Sequence, residues 1–390
     1  MEIVTDLMDT CLAIKRKYEA AAQASGEDFN IFRILKLATS EVRLHSALLG
    51  ELLSVQGSHN MGNAFLTKFI EQLQATDKIA LTNLHQFDTE HSTVDLEYSL
   101  EYGNRELTGG RVDILLRDAQ GRFIIIENKI YAGDQPGQVA RYNSIKSKLA
   151  LLYLTIDGRT PSSQSSGDLL VDKDFSCLSY KKDIREWLLT CLNVPGLSKL
   201  VESTIRQYIY LLDDFTGQSN TSKMSTEVIQ EMQQSDAMIK ASFLIASHLE
   251  GLKEERAKSI RLRLEEQLQA AGCDYAMSSW HFSFPRIELY PSGWNNHLIG
   301  FTDERGLLFG IKRRTAEVSP IRFSQIDTQL KDEFRESRWW LSYSYLRGHE
   351  FNLQTVNPWL CAYEEFIAQK MAEQVIKLIA VSKEYRELPW

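Results

Sequence analysis

The chain opens with apolar residues at helical spacing. Leu12, Ile14, Tyr18 and Ala22 predict one charged, alanine-rich helix over residues 1–28. Phe32, Leu35, Leu37, Leu44, Leu48, Leu49 and Leu52 keep the same period and predict a second helical block from about Phe29 to Leu53. The polar stretch Gln56-Gly57-Ser58-His59-Asn60-Met61-Gly62-Asn63 reads as a loop, and Phe65, Phe69 and Leu73 give the helix after it one apolar face.

Beyond residue 90 the period falls to two. Residues Val94–Leu100 alternate as a half-exposed strand does. Gly109-Gly110 interrupts the chain, Val112–Leu116 forms a short strand, and Asp118-Ala119-Gln120-Gly121 is a turn. Phe123–Glu127 is almost continuously apolar, the mark of a strand covered on both faces. Asp134–Leu149 reads as a crossover helix and Ala150–Thr155 as another buried strand. This order predicts an α/β fold in which helices flank a mixed β-sheet. Helices at Lys182–Leu192 and Lys199–Asp214 complete a first domain of residues 1–218, with the polar stretch Thr216–Ser222 as linker. Residues 219–390 predict an α+β domain for recognition, regulation or dimerisation. It has a long helix over Thr226–Ala271, strands at Trp280–Ile287, His297–Thr302, Leu307–Ile311 and Trp339–Tyr345, and a last helix over Trp359–Tyr385.

Composition narrows the function classes. The 390 residues, 43% hydrophobic and 25% charged, suit an ordinary two-domain globular protein. No apolar run approaches the roughly 20 residues of a membrane span, and the N-terminus lacks the pattern of a secretory signal. Cys11, Cys177, Cys191, Cys273 and Cys361 are scattered without a CxxC pair, as expected of reduced thiols in a cytoplasmic protein. A net charge of −8 leaves no overall attraction to nucleic acid, so such contact requires a local basic surface or metal ions. There is no GxxxxGK[ST] phosphate loop, zinc finger or GxSxG sequence.

The chemistry concentrates in Gly110-Arg111-Val112-Asp113 and Ile125-Ile126-Glu127-Asn128-Lys129. Residues two apart on a strand share a face, so Glu127 and Lys129 project together. The turn at Gly121 folds their strand back beside Asp113. Two carboxylates and an ammonium then converge. A carboxylate pair suits a hard cation, Mg²⁺ or Mn²⁺, with the Asn128 backbone carbonyl as a further oxygen donor. Lys129 is placed to orient water or stabilise developing negative charge. The bland alternative is a surface salt bridge between Glu127 and Lys129.

Asp113 followed by Glu127-Asn128-Lys129 at the end of an apolar strand resembles the PD-(D/E)XK nuclease superfamily, with Val112 in place of the proline. Gln138-Val139-Ala140-Arg141-Tyr142 resembles the QxxxY element of its RecB-like and λ-exonuclease-like branches. Glu41-Val42-Arg43-Leu44-His45-Ser46, with His59 and Gly62, resembles the N-terminal signature of uncharacterised bacterial members. The resemblance covers about Phe29–Thr155 and extends in weaker form to Asp214. It implies a Mg²⁺- or Mn²⁺-dependent deoxyribonuclease that hydrolyses phosphodiester bonds, in this family usually those of DNA, as in restriction, repair or antiviral defence. It implies Asp113, Glu127, Asn128 and Glu41 at the metal, with Lys129, Gln138 and Tyr142 completing the catalytic set.

Other residues read less sharply. His45 lies on the Glu41 face and suits either a substrate contact or a structural role, and His59 shapes a loop. Glu97 and Asp118 read as solvated. Arg111, Arg141, Lys146 and Lys148 flank the site as phosphate contacts or plain surface charge. Lys312-Arg313-Arg314, with Trp280, Trp294, Trp339 and Trp340, suits single strands or nucleotides, or else core tryptophans beside a basic turn. The rival functions are a non-cleaving nucleic-acid binder and an effector gated by a partner or nucleotide at the second domain. A homodimer through the long helix is a further expectation.

Overall fold

The computed structural model describes residues 2–76, 78–99, 110–277, 286–304, 306–315, 321–326, 334–386 and 388–390. The expected strand end at Leu100, the break at Gly109 and the strand start at Trp280 lie outside these residues. The chain divides into two compact units, Met1–Ile239 and Lys240–Trp390.

Unit 1 opens with helix α1 (Glu2–Ser25). The block expected over 29–53 is three pieces. The short helix α2 (Ile31–Ile34) is capped by the Asn30 side chain and stops at Lys36. Lys36 has a φ of 57°, its N–H bonds Arg33 and the Leu37 N–H reaches back to Phe32. This is the usual left-handed helix stop with lysine where glycine is common, so no punctuating residue announces it. Leu35, counted as apolar face, is 58% exposed. Ser40 then caps a π-helical turn, Glu41–Ser46, which runs into α3 (Ala47–Leu53), and α4 (Ala64–Gln74) follows the expected loop.

The sheet comprises β1 (Ser92–Ser99), β2 (Arg111–Asp118), β3 (Phe123–Lys129), β4 (Lys148–Thr155) and β5 (Ser176–Ser179), in sequential order. β1, β2 and β3 form an antiparallel meander, while β4 and β5 are added in parallel. The β2–β3 turn is tight because Gly121 has a φ of 73° and buried Asp118 accepts from the Gln120 and Arg122 amides. Asp118 is therefore a turn anchor, not a solvated acid. Only Gln138–Asn143 of the expected 134–149 segment is helical (α5), entered through left-handed Gly137 and followed by left-handed Ser147. Asp134 is instead tied to the Ser162 amide at 2.7 Å and to the Tyr153 hydroxyl.

One sheet face, with Ile114, Ile124, Ile126, Leu152 and Leu154, packs into the large core that also holds α3, α4 and the helices α7 (Arg185–Cys191) and α8 (Lys199–Phe215). The other, with Leu115, Ile125 and Leu151, forms a smaller core under Val139 and Tyr142 of α5. A one-turn helix, α6 (Ser163–Ser166), precedes β5. Unit 1 continues past the expected boundary at residue 218. Ser219 caps α9 (Asn220–Met232), whose Glu227 takes the Lys17 ammonium and Tyr18 hydroxyl of α1, each at 2.8 Å.

Unit 2 takes up most of α10 (Asp236–Ala270), which is separate from α9, not continuous with it. Its sheet is a purely antiparallel meander of β6 (Tyr275–Met277), β7 (Arg286–Pro291), β8 (His297–Asp303), β9 (Leu307–Arg313) and β10 (Trp340–Leu346). Ile287, Leu289, Ile299, Ile311 and Leu341 share a core with Ile260 and Leu264 of α10 and with α11 (Glu364–Glu384).

Candidate active site

Antiparallel pairing of Ile114 with Ile126 puts Asp113 and Glu127 at the next position of the same hairpin. Glu127 is 1% exposed, and Lys129 is buried beside it. The Lys129 ammonium lies 2.7 Å from Glu127 Oε1. Gln138 Nε2 donates to that same oxygen at 2.6 Å, and to the Tyr142 hydroxyl at 3.2 Å. Tyr142 in turn donates to the Arg111 carbonyl at 2.7 Å. Helical spacing of four residues makes this reach possible. Gly110 makes room for it, since a Cβ there would stand 2.8 Å from the Tyr142 ring.

The electrostatics are unbalanced. Burial lifts the Asp113 carboxyl to about 6, although the Asn128 N–H at 2.7 Å and the Lys129 charge pull it down. Burial, reinforced by the charge of Asp113, lifts Glu127 to about 7 against the pull of Lys129 and Gln138. Burial works against the Lys129 charge, but Glu127 and Asp113 outweigh it and hold the ammonium above its ordinary range. Glu127 Oε2 and Gln138 Oε1 are buried with no hydrogen-bond partner. Perturbed carboxyls and orphaned oxygens in one place are the usual physical marks of a working site.

Glu41 enters from the π-helical turn. Its Oε1 accepts from the amides of Ile130, Tyr131 and Ala132 at 2.7, 2.5 and 2.9 Å, so it anchors the loop that follows Lys129. Burial raises its pKa, but the three amides and Lys129 outweigh burial, and the carboxyl sits below its ordinary value.

Asn128 points to the opposite sheet face. Its Nδ2 donates to Ser46 Oγ at 3.0 Å, and its Oδ1 accepts from the Tyr180 hydroxyl at 2.9 Å. The Tyr180 hydroxyl adjoins that of Tyr208, which lies 2.8 Å from His45 Nδ1. His45 Nε2 faces the Ala38 carbonyl at 3.0 Å. A carbonyl only accepts, so Nε2 carries the ring proton and Nδ1 accepts from Tyr208. Burial lowers the His45 pKa and keeps the ring neutral. His45 is thus a structural histidine of the Asn128 network, although the Glu41 charge still reaches it. His59 closes its loop through the Ser54 carbonyl and the Met61 amide, each at 3.0 Å.

Sequence reasoning missed Ser46, Tyr180 and Tyr208, which lie far apart in the chain and carry no periodic signal. It also misread Glu97. That residue has a φ of 52°, pairs with Arg111 at 2.7 Å, leaves a buried Oε1 without a partner, and adds its charge to those raising Asp113. Of the flanking cations, Arg111 is held by Glu97, Arg141 by the Pro136 carbonyl and Lys148 by Asn143.

Residues 29–211 match the PD-(D/E)XK nuclease superfamily, and this part of the chain, which contains every residue of the cluster, belongs to it. The protein therefore has a nuclease fold, one that implies a nucleic-acid substrate and typically works with divalent metals. No curated protein and no solved structure matches the chain. Among the described residues, no three acid, histidine or cysteine side chains are grouped to hold a metal, and no helix is long and apolar enough to cross a membrane. The donors present still fit a hard cation. The Asp113–Glu127 pair is carboxylate oxygen, one of its oxygens is orphaned, and backbone carbonyls and water ordinarily complete such a shell.

Proposed function

We propose that this chain is a metal-dependent nuclease that hydrolyses phosphodiester bonds in DNA, in restriction, repair or antiviral defence in the cytoplasm. The observation that carries the reading is Glu127, buried beside Asp113 with one oxygen bonded to Lys129 and the other without a partner. A repulsive buried carboxylate pair destabilises a fold unless a cation joins it. Asp113 and Glu127 would hold Mg²⁺ or Mn²⁺, with the Asn128 backbone carbonyl as a further donor and Glu41 assisting through the loop it anchors. The ion supplies a more acidic bound water and charge stabilisation at phosphate oxygen.

The chain's own residues do the rest. Lys129 presents a buried ammonium that orients the attacking water or balances charge as it develops on the phosphate. Gln138 fixes the Glu127 carboxylate, and Tyr142 fixes Gln138 by anchoring to the Arg111 carbonyl. Glu41 sets the course of the backbone just beyond Lys129.

The test is cleavage of supercoiled plasmid, linear duplex and single-stranded DNA with Mg²⁺, Mn²⁺ or EDTA, comparing wild type with Lys129→Ala and Asp113→Ala. Metal-dependent cutting by wild type and none by the variants is the expected result. Equal cutting by all three sinks the assignment.

A further inference from the structure

The open face of the unit 2 sheet carries a basin of about 570 Å³. Its floor is thinned at Gly300, where a Cβ would stand 3.0 Å from the Trp340 ring. Trp340 is buried against this floor, whereas the neighbouring Trp339 leaves 49% of its surface exposed at the rim.

Cations surround the two indoles. Arg286 and Lys312 (2.9 Å) both bind buried Glu288, which also accepts the Tyr290 hydroxyl at 2.8 Å. Burial raises the Glu288 pKa, but these donors outweigh it and keep the acid ionised, so the cations stay fixed. Arg314 lies 5.3 Å over the Tyr290 ring. Arg313 serves the frame instead: it donates to the carbonyls of Ser337, Arg338 and Trp340 and pairs with Glu336, fastening the segment that carries both tryptophans. Arginine and lysine outnumber acids in the lining, in a protein whose net charge is −8.

Plain core packing leaves this arrangement unexplained. The structural core of unit 2 lies on the other side of the sheet, and the Trp339 ring, with the Arg338 guanidinium 5.5 Å from its centre, still leaves 49% of the residue in water. A ligand with a flat π-face and negative charge would satisfy both. Aromatic platforms stack bases of any identity, guanidinium and ammonium groups hold phosphate, and the basin lies within the size range of small-ligand pockets.

We infer that the basin lined by Trp339, Arg314, Lys312 and Arg286 is a nucleoside-phosphate subsite, filled by one nucleotide unit with its base on Trp339 and its phosphate on the cations. The unit comes either from a free nucleotide or from a nucleic-acid strand. The subsite stands independently of cleavage in unit 1.

Calorimetric titration of the full chain in EDTA, where nothing is cut, tests this. The probes are ATP, GTP, CTP and UTP in turn, a ten-residue oligothymidylate, and pyrophosphate as an anion without a base. At least one nucleoside triphosphate or the oligonucleotide should bind more tightly than pyrophosphate. Trp339→Ala and Arg314→Ala should each weaken that binding about tenfold, and Trp339→Phe should restore most of it. Both residues are exposed, so unchanged melting temperatures should confirm that the variants fold. Binding by a mononucleotide identifies a free nucleotide as the ligand, and binding by the oligonucleotide alone identifies a strand. Three results overturn the inference: no probe binds, pyrophosphate binds as tightly as the best nucleotide, or Trp339→Ala leaves every affinity unchanged.

Discussion

Strand β3 carries a polar cluster on each face, and the two are built on opposite principles. On the face of Asn128, every group is neutral and has its partner: Ser46, Tyr180, Tyr208, His45 and the Ala38 carbonyl close the network. On the face of Glu127 and Lys129, charges outnumber their partners, two oxygens have none, and both carboxyls are pushed toward neutral pH. Adjacent residues of one strand thus separate stability from reactivity. A satisfied buried network rigidifies, whereas an unsatisfied one holds free energy that a substrate or ion can release.

The sharpest way to break this contrast is Lys129→Ala. If the charged face does the chemistry, metal-dependent cleavage per folded molecule should fall by at least about a hundredfold, read by plasmid nicking, with calorimetry reporting separately the stability lost as Glu127 loses its partner. Asn128→Ala should do the reverse. It leaves the Tyr180 hydroxyl and Ser46 without their partner, at about 2–3 kcal/mol, or several degrees of melting temperature. Cleavage per folded molecule should stay within a few-fold, because the expected ligand atom of Asn128 is its backbone carbonyl. Loss of cleavage without loss of stability would erase the distinction between the faces.

Acidity sharpens the contrast further. Asp113 and Glu127 ionise near 4 in the unfolded chain and at about 6 and about 7 in the fold. Their raised values mean that the stability they contribute is complete below pH 4 and disappears as pH rises through 6 to 7. Divalent metal should therefore raise the melting temperature more at pH 8 than at pH 5, and Glu127→Gln should make the metal-free decline between pH 5 and 8 shallower, leaving the part due to Asp113. An equal metal effect at both pH values would detach the cation from these carboxyls. The smallest effect is expected from Tyr142→Phe, which keeps the ring but loses the anchor to Arg111. Loss of two hydrogen bonds, the donation to Arg111 and the acceptance from Gln138, at about 1 kcal/mol each predicts a several-fold drop in cleavage, with a melting shift of a few degrees.

The charged face was legible in the sequence because strands covered on both sides must be apolar, so Asp113, Glu127 and Lys129 stand out as interruptions. Gln138 and Tyr142 were legible through helical spacing, although the helix beneath them is far shorter than the surrounding pattern suggests. The neutral face was opaque: Asn128 bonds to residues 82 and 52 positions away, and long-range partners leave no period in the chain. Lys36 hid a helix end because the left-handed stop uses neither glycine nor asparagine. β5 is four residues long and half serine, too short to alternate visibly. In unit 2, β8, β9 and β10 were legible, whereas β6 was missed and β7 begins at Arg286, where the strand expected over 280–287 was to end; the basin depends on a glycine and two indoles brought together by pairing between strands.

The single oxygen of Glu41 that gathers three amides has a consequence for backbone exchange with solvent. Tyr131 is 60% exposed, and an amide on so open a loop would ordinarily trade its proton for deuterium almost at once. Here Ile130, Tyr131 and Ala132 all share one carboxylate anchor, so their exchange is governed by one event, the departure of Glu41. Three neighbouring amides that slow and quicken together make this loop a built-in gauge of whether the first helices remain attached to the strand that carries Lys129.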